Sequence, residues 1–142
     1  MRASNHAAMD LLDKTLFPAF TVNPPVNADA IQQFESESGM RLRDDYAAFL
    51  MQSNGGQGFI GKGYTNLWRL EEIFEKNKSY KVTDFASGLL LFGSDGGGEA
   101  FAFDYTSEQR RIVSVPFVPL DMKEARTLAL TFGSFIEGIL AS

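Results

Sequence analysis

The chain has 142 residues, 44% of them hydrophobic, and a net charge of −5 from 18 acidic and 13 basic residues, which suits a single domain with one core. It has no cysteine and one histidine, His6, so disulfides, thiol chemistry, thiolate or imidazole metal clusters and a Ser-His-Asp triad are excluded. No basic patch suggests nucleic acid, no apolar run nears the roughly 20 residues of a membrane span, and Asp10 and Asp13 stand where a signal peptide needs apolar residues. The expected location is the cytoplasm.

Residues 1–27 are expected to form an N-terminal arm, ahead of a single domain over 28–142. In the arm, Met9, Leu11, Leu12, Leu16 and Phe17 suit one side of a short helix, and Asn23-Pro24-Pro25 stops it. The pattern then predicts a helix over 28–38 with Ile31 and Phe34 inward, ended by Gly39. A second helix, 44–52, carries Tyr46, Phe49 and Leu50 on one stripe, with Asp44 as its N-cap and Asn54-Gly55-Gly56 as its left-handed stop. Residues 57–61 and 64–69 suit a strand pair turning at Lys62-Gly63, with Trp68 at its end as a core or rim aromatic. A short helix follows over 70–78, then a connection over 79–87.

The organising stretch is Gly88 to Asp104. Leu89 to Phe92 is a continuous apolar run, as in a strand buried on both faces. Gly93 to Gly98 is turn chemistry. Glu99 to Asp104 alternates, with Phe101 and Phe103 on one face. A strand over 111–115 and a closing helix over 132–140 complete the chain. Helices, then strands, then a helix predict an α+β fold with a central, mainly antiparallel sheet and helices packed against it.

Chemistry-bearing motifs are few. Gly56-Gln57-Gly58-Phe59-Ile60-Gly61-Lys62 fits most of a P-loop, but Gly63 stands where Ser or Thr must hold Mg²⁺. Asp95-Gly96-Gly97-Gly98-Glu99 allows a backbone nest for an anion, but its carboxylates oppose one. Asp95, Glu99 and Asp104 lack the ligand density of a calcium loop. The expectation is a non-enzymatic protein with no cofactor and no metal.

Five segments together resemble a known family. They are Gly39 to Leu50, Asn54-Gly55-Gly56, Trp68-Arg69-Leu70-Glu71-Glu72-Ile73, Phe92 to Glu99 with Asp104, and Ser134-Phe135-Ile136-Glu137-Gly138-Ile139-Leu140. In that order they resemble the SUKH superfamily, specifically the Smi/Knr-like domain of fungal cell-wall assembly regulators and many bacterial proteins. Arg43 stands where proline is usual there, and Gly138 where phenylalanine is usual. The resemblance covers roughly residues 28–140. It implies an α+β fold, no catalytic residues, and, for short bacterial members, an immunity protein that neutralises a cognate toxin, often a nuclease. A regulatory or scaffold interaction domain, as in the fungal relatives, is the alternative.

Between Lys81 and Arg110 there are five acids, Asp84, Asp95, Glu99, Asp104 and Glu108, and no base. A nuclease presents a basic groove to its polyanionic substrate. These five carboxylates are therefore the expected partner surface, standing in for phosphates. Asp95 and Glu99 are expected to project freely beside the glycine turn.

Overall fold

The computed structural model describes residues 11–142. His6, Met9 and Asp10 lie outside them. The described chain builds a seven-stranded sheet in the order β1-β2-β3-β4-β5-β6-β7, every neighbouring pair antiparallel. The strands are β1 Phe20–Val22, β2 Gly56–Ile60, β3 Gly63–Leu67, β4 Leu89–Ser94, β5 Glu99–Asp104, β6 Ile112–Pro116 and β7 Arg126–Ala129. The helices are α1 Ala28–Ser38, α2 Asp44–Leu50, α3 Leu70–Ser79, α4 Val82–Phe85 and α5 Phe132–Ala141, with a 3₁₀ turn at Met122–Glu124. The class is α+β.

The hairpin β4–β5 is the centre. Every residue of β4 is buried, as the apolar run requires. Phe101 and Phe103 share the face that receives Phe92, whose ring stacks on Phe103 at 4.2 Å. Phe135 of α5 meets Phe101 edge-on at 4.9 Å, and Tyr46 of α2 lies 4.9 Å from Phe103. Phe49 closes the layer against Phe132 at 5.0 Å. Each such ring pair adds about 0.5–1.5 kcal/mol beyond the apolar area it buries. Among the described residues the Tyr46 hydroxyl, inside this layer, has no hydrogen-bond partner, and burial pushes its pKa up.

Helix ends follow local chemistry. Asn27 caps α1 by accepting from the Ala30 amide at 2.9 Å, and Gly39 closes it in the left-handed conformation. Thr131 and Ser134 form a capping box on α5. Asp45 reaches across to accept from the Phe132 amide at 2.8 Å and is itself paired with Arg43 at 3.0 Å. Arg43 also donates to the Gln109 carbonyl. The arginine that departs from the family's usual proline thus ties α2 to the β5–β6 turn.

Several expectations are corrected. Residues 11–17 are turns, not a helix, yet Leu11 and Phe17 are buried, and Phe20–Val22 pairs with β2 as an edge strand. Helix α2 ends at Leu50, before Asn54-Gly55-Gly56. That motif instead opens β2. Gly55 has φ of +75°, and a Cβ there would stand 2.3 Å from the Leu67 carbonyl oxygen. The P-loop-like run is the β2–β3 hairpin, turning at Gly61-Lys62, so it has no helix to offer a phosphate. Strand β7 and helix α4 were not expected; β7 has three exposed residues in four and no apolar alternation.

Candidate functional site

Strand β3 pairs with β4 only at Asn66↔Ser94 and Leu67↔Gly93, then leaves the sheet through Trp68 into α3. The Trp68 amide makes a last bond to the Phe92 carbonyl at 3.0 Å. Beyond it, β4 has lost its neighbour. Asn77 of α3 replaces it: its carboxamide donates to the Leu91 carbonyl at 2.9 Å and accepts from the Leu91 amide at 2.9 Å. Asn54 performs a parallel service for α3, accepting from the Leu70 amide at 2.7 Å and donating to Glu71 at 2.7 Å. That second bond holds the Glu71 carboxyl below the usual range. Neither role of these asparagines is signalled by periodicity.

The departure of β3 opens a cleft of about 460 Å³ beside the β4–β5 turn. Its walls are Trp68, Tyr80 and Phe117, with Gly96, Gly97 and Gly98 along one side and Val118 at the mouth. The Phe117 amide donates to the Gly98 carbonyl at 2.9 Å, which fixes this aromatic against the glycine turn. Tyr80 and Phe117 lie 4.7 Å apart, and Trp68 stacks near both at 6.5 Å. Trp68 is only 4% exposed; Tyr80 is 40% and Val118 88% exposed. The tryptophan is therefore the floor, and the other two supply contact area. The Lys76 ammonium stands 5.1 Å from the Trp68 ring.

The glycine turn is closed by its own acid. One Asp95 oxygen accepts from the Gly97 amide at 2.8 Å and the Glu99 amide at 3.2 Å. The backbone nest is thus filled internally. Gly96, at φ of +80°, lies so near Tyr64 that a Cβ would stand 2.5 Å from the ring.

The five acids of the 84–108 stretch do not meet. Asp95 and Glu99 lie at one end of β5, Asp104 at the other, about 17 Å away at 3.4 Å per residue. Glu108 lies in the β5–β6 turn at the far end, and Asp84 on α4, ahead of the start of β4, which pairs with Asp104; both are exposed. Asp104 is buried and cannot be a projecting contact. Its oxygens accept from the Thr106 hydroxyl at 2.6 Å, the Thr106 amide at 2.9 Å and Arg111 at 2.9 Å. Burial pushes this carboxyl up, but those bonds and the guanidinium outweigh it and hold it below the ordinary value. Glu99 is half-buried, with Arg126 at 3.9 Å. Among the described residues no group of three or more potential metal ligands occurs. No described helix is long and apolar enough to cross a membrane.

An antiparallel sheet that opens on an aromatic cleft, with its polar turn closed on itself, defines an α+β domain built around a surface groove. The chain belongs to the SMI1 / KNR4 family (SUKH-1), whose model matches residues 25–138. It is also 34% identical over 74 residues to the uncharacterized protein YnaB of Bacillus subtilis (strain 168). That match covers 52% of this chain and 47% of YnaB, so the chain spans about half of that relative's length. Membership supports a protein-interaction domain of the immunity type, and domains of this family are generally non-enzymatic.

Proposed function

We propose that the protein neutralises a cognate toxin, of which a nuclease is the leading class, by binding it stoichiometrically in the cytoplasm without catalysis. The observation that carries this reading is the family match over residues 25–138, which takes in six of the seven strands, four helices whole and most of α5. Asp95 and Glu99, which flank the glycine turn that lines the aromatic cleft, are the contacts we assign to the partner's cations. Asp84 and Glu108, at the opposite end, lie outside that contact, and Asp104 is withdrawn by burial. Complementary charge of this kind mainly speeds encounter.

The test is co-expression with the product of a neighbouring toxin gene, followed by gel filtration of the mixture. Growth rescue together with a stable complex is expected. In the complex, Asp95→Asn with Glu99→Gln should lower the association rate several-fold at low salt and change little at high salt. A toxin that kills equally with and without this chain, and elutes apart from it, overturns the reading.

A further inference from the structure

We propose that the cleft between α3 and the β4–β5 turn seats an aspartate or glutamate side chain of a partner segment, with an apolar neighbour of that acid packed on Tyr80, Phe117 and Val118. This rests on the protein-binding reading above. It adds where the partner inserts and which side chain it inserts.

The cleft carries a single positive charge. Lys76 is the one ionised side chain among the residues that line the cleft. Its ammonium has no carboxylate within ion-pair distance among the described residues. Half-buried over Trp68, it is held in the cleft by the ring rather than released to solvent. A cation already positioned costs a carboxylate ligand less ordering than a free lysine does. Asp95 accepts from the Gly97 and Glu99 amides, Glu99 stands 3.9 Å from Arg126, and Glu72, one helical turn before Lys76, accepts from the Arg69 amide at 3.1 Å, so none of the three pairs with Lys76.

Gly98 shapes the side of the cleft. It does not have a positive φ, and a Cβ there would meet no atom within 4 Å. Neither the turn nor its packing requires glycine at this position. A side chain would stand in open space on the exposed turn that lines the cleft, so the bare backbone keeps the mouth clear. Gly96, by contrast, is explained by Tyr64 and its φ.

Trp68 is the single tryptophan of the chain, so its fluorescence reports the cleft directly. The probes are three pools of N-acetylated, C-amidated nine-residue peptides with a fixed central Phe-Glu, Phe-Gln or Phe-Lys and randomised flanks. The Glu pool should bind about 1.5- to 5-fold more tightly than the Gln pool, the range of a partly exposed ion pair, and the Lys pool more weakly still. Lys76→Met should erase the difference between Glu and Gln, and Lys76→Glu should invert the order. Gly98→Val should lose binding of all pools while its unfolding midpoint stays within error of the parent. Equal binding of the three pools, no binding of any pool, or a Glu preference that survives in Lys76→Glu overturns the proposal. The cognate toxin separates the two readings. Full toxin binding by Lys76→Glu and Gly98→Val sinks the cleft and leaves immunity standing. Peptide selectivity without any toxin interaction does the reverse.

Discussion

Asp104 shows how far one side chain's environment can depart from its sequence context. In sequence it is one of five uncompensated acids; in the fold it is a buried acceptor for Thr106 and Arg111. The carboxyl's folded pKa lies below its ordinary value of about 3.9, so the proton prefers the unfolded chain. The stabilisation is therefore complete above that ordinary value and is lost as pH falls through the lower folded one. Asp104→Asn should cost roughly 1.5–3 kcal/mol at pH 7, the range for hydrogen bonds to charged groups. In urea titrations from pH 7 to pH 2, the gap between parent and variant should narrow at the acid end. A gap that stays constant to pH 2 would show that the carboxylate is not what the fold uses. Glu71 also has a lowered pKa, through Asn54, but it titrates in both proteins and drops out of the difference.

At the scale of elements, the apolar patterns were legible and the polar repairs were not. The run Leu89 to Phe92 and the alternation of Phe101 and Phe103 announce the central hairpin because both signals come from burial, which the sequence writes in hydrophobicity. The stripe Tyr46, Phe49, Leu50 announces α2 for the same reason. Strand β1 and strand β7 were hidden because edge strands are short and half-exposed, so they carry no alternation. Asn77 and Asn54 were hidden because each bonds to backbone distant in sequence. Asn77 is the more exposed to test, since it satisfies the Leu91 amide and carbonyl where β3 no longer can. Asn77→Ala should cost about 1–3 kcal/mol, the range for leaving buried backbone groups unpaired. The urea midpoint should fall with an unchanged slope, and the Leu91 amide should exchange hydrogen faster. A loss under about 0.5 kcal/mol with unchanged exchange would mean that the asparagine only decorates the helix. The cleft was half-legible: Trp68 and the glycine turn stood out as motifs, but nothing in their spacing said that they converge.

At the scale of the whole molecule, the family match begins at residue 25, while the sheet begins at Phe20. The two boundaries make different demands on stability. Val22 pairs with Gly56, Thr21 with Gln57 and Phe20 with Gly58, so β1 covers the free edge of β2. Leu11, Phe17 and Phe20 are each at most 1% exposed. Burial of such side chains contributes about 1.5–3 kcal/mol each. Three of them amount to a large part of the roughly 5–15 kcal/mol by which a domain is stable. Removing residues 1–24 should therefore leave a chain with a much lower unfolding midpoint, and an uncovered β2 edge prone to self-association. Phe20→Ala in the full chain should reproduce part of the loss, about 3–5 kcal/mol, without uncovering that edge. Thermal unfolding and gel filtration of both proteins decide the matter. If the truncated chain melts with the parent and remains monodisperse, residues 11–22 are an appendage and the domain begins at the family boundary.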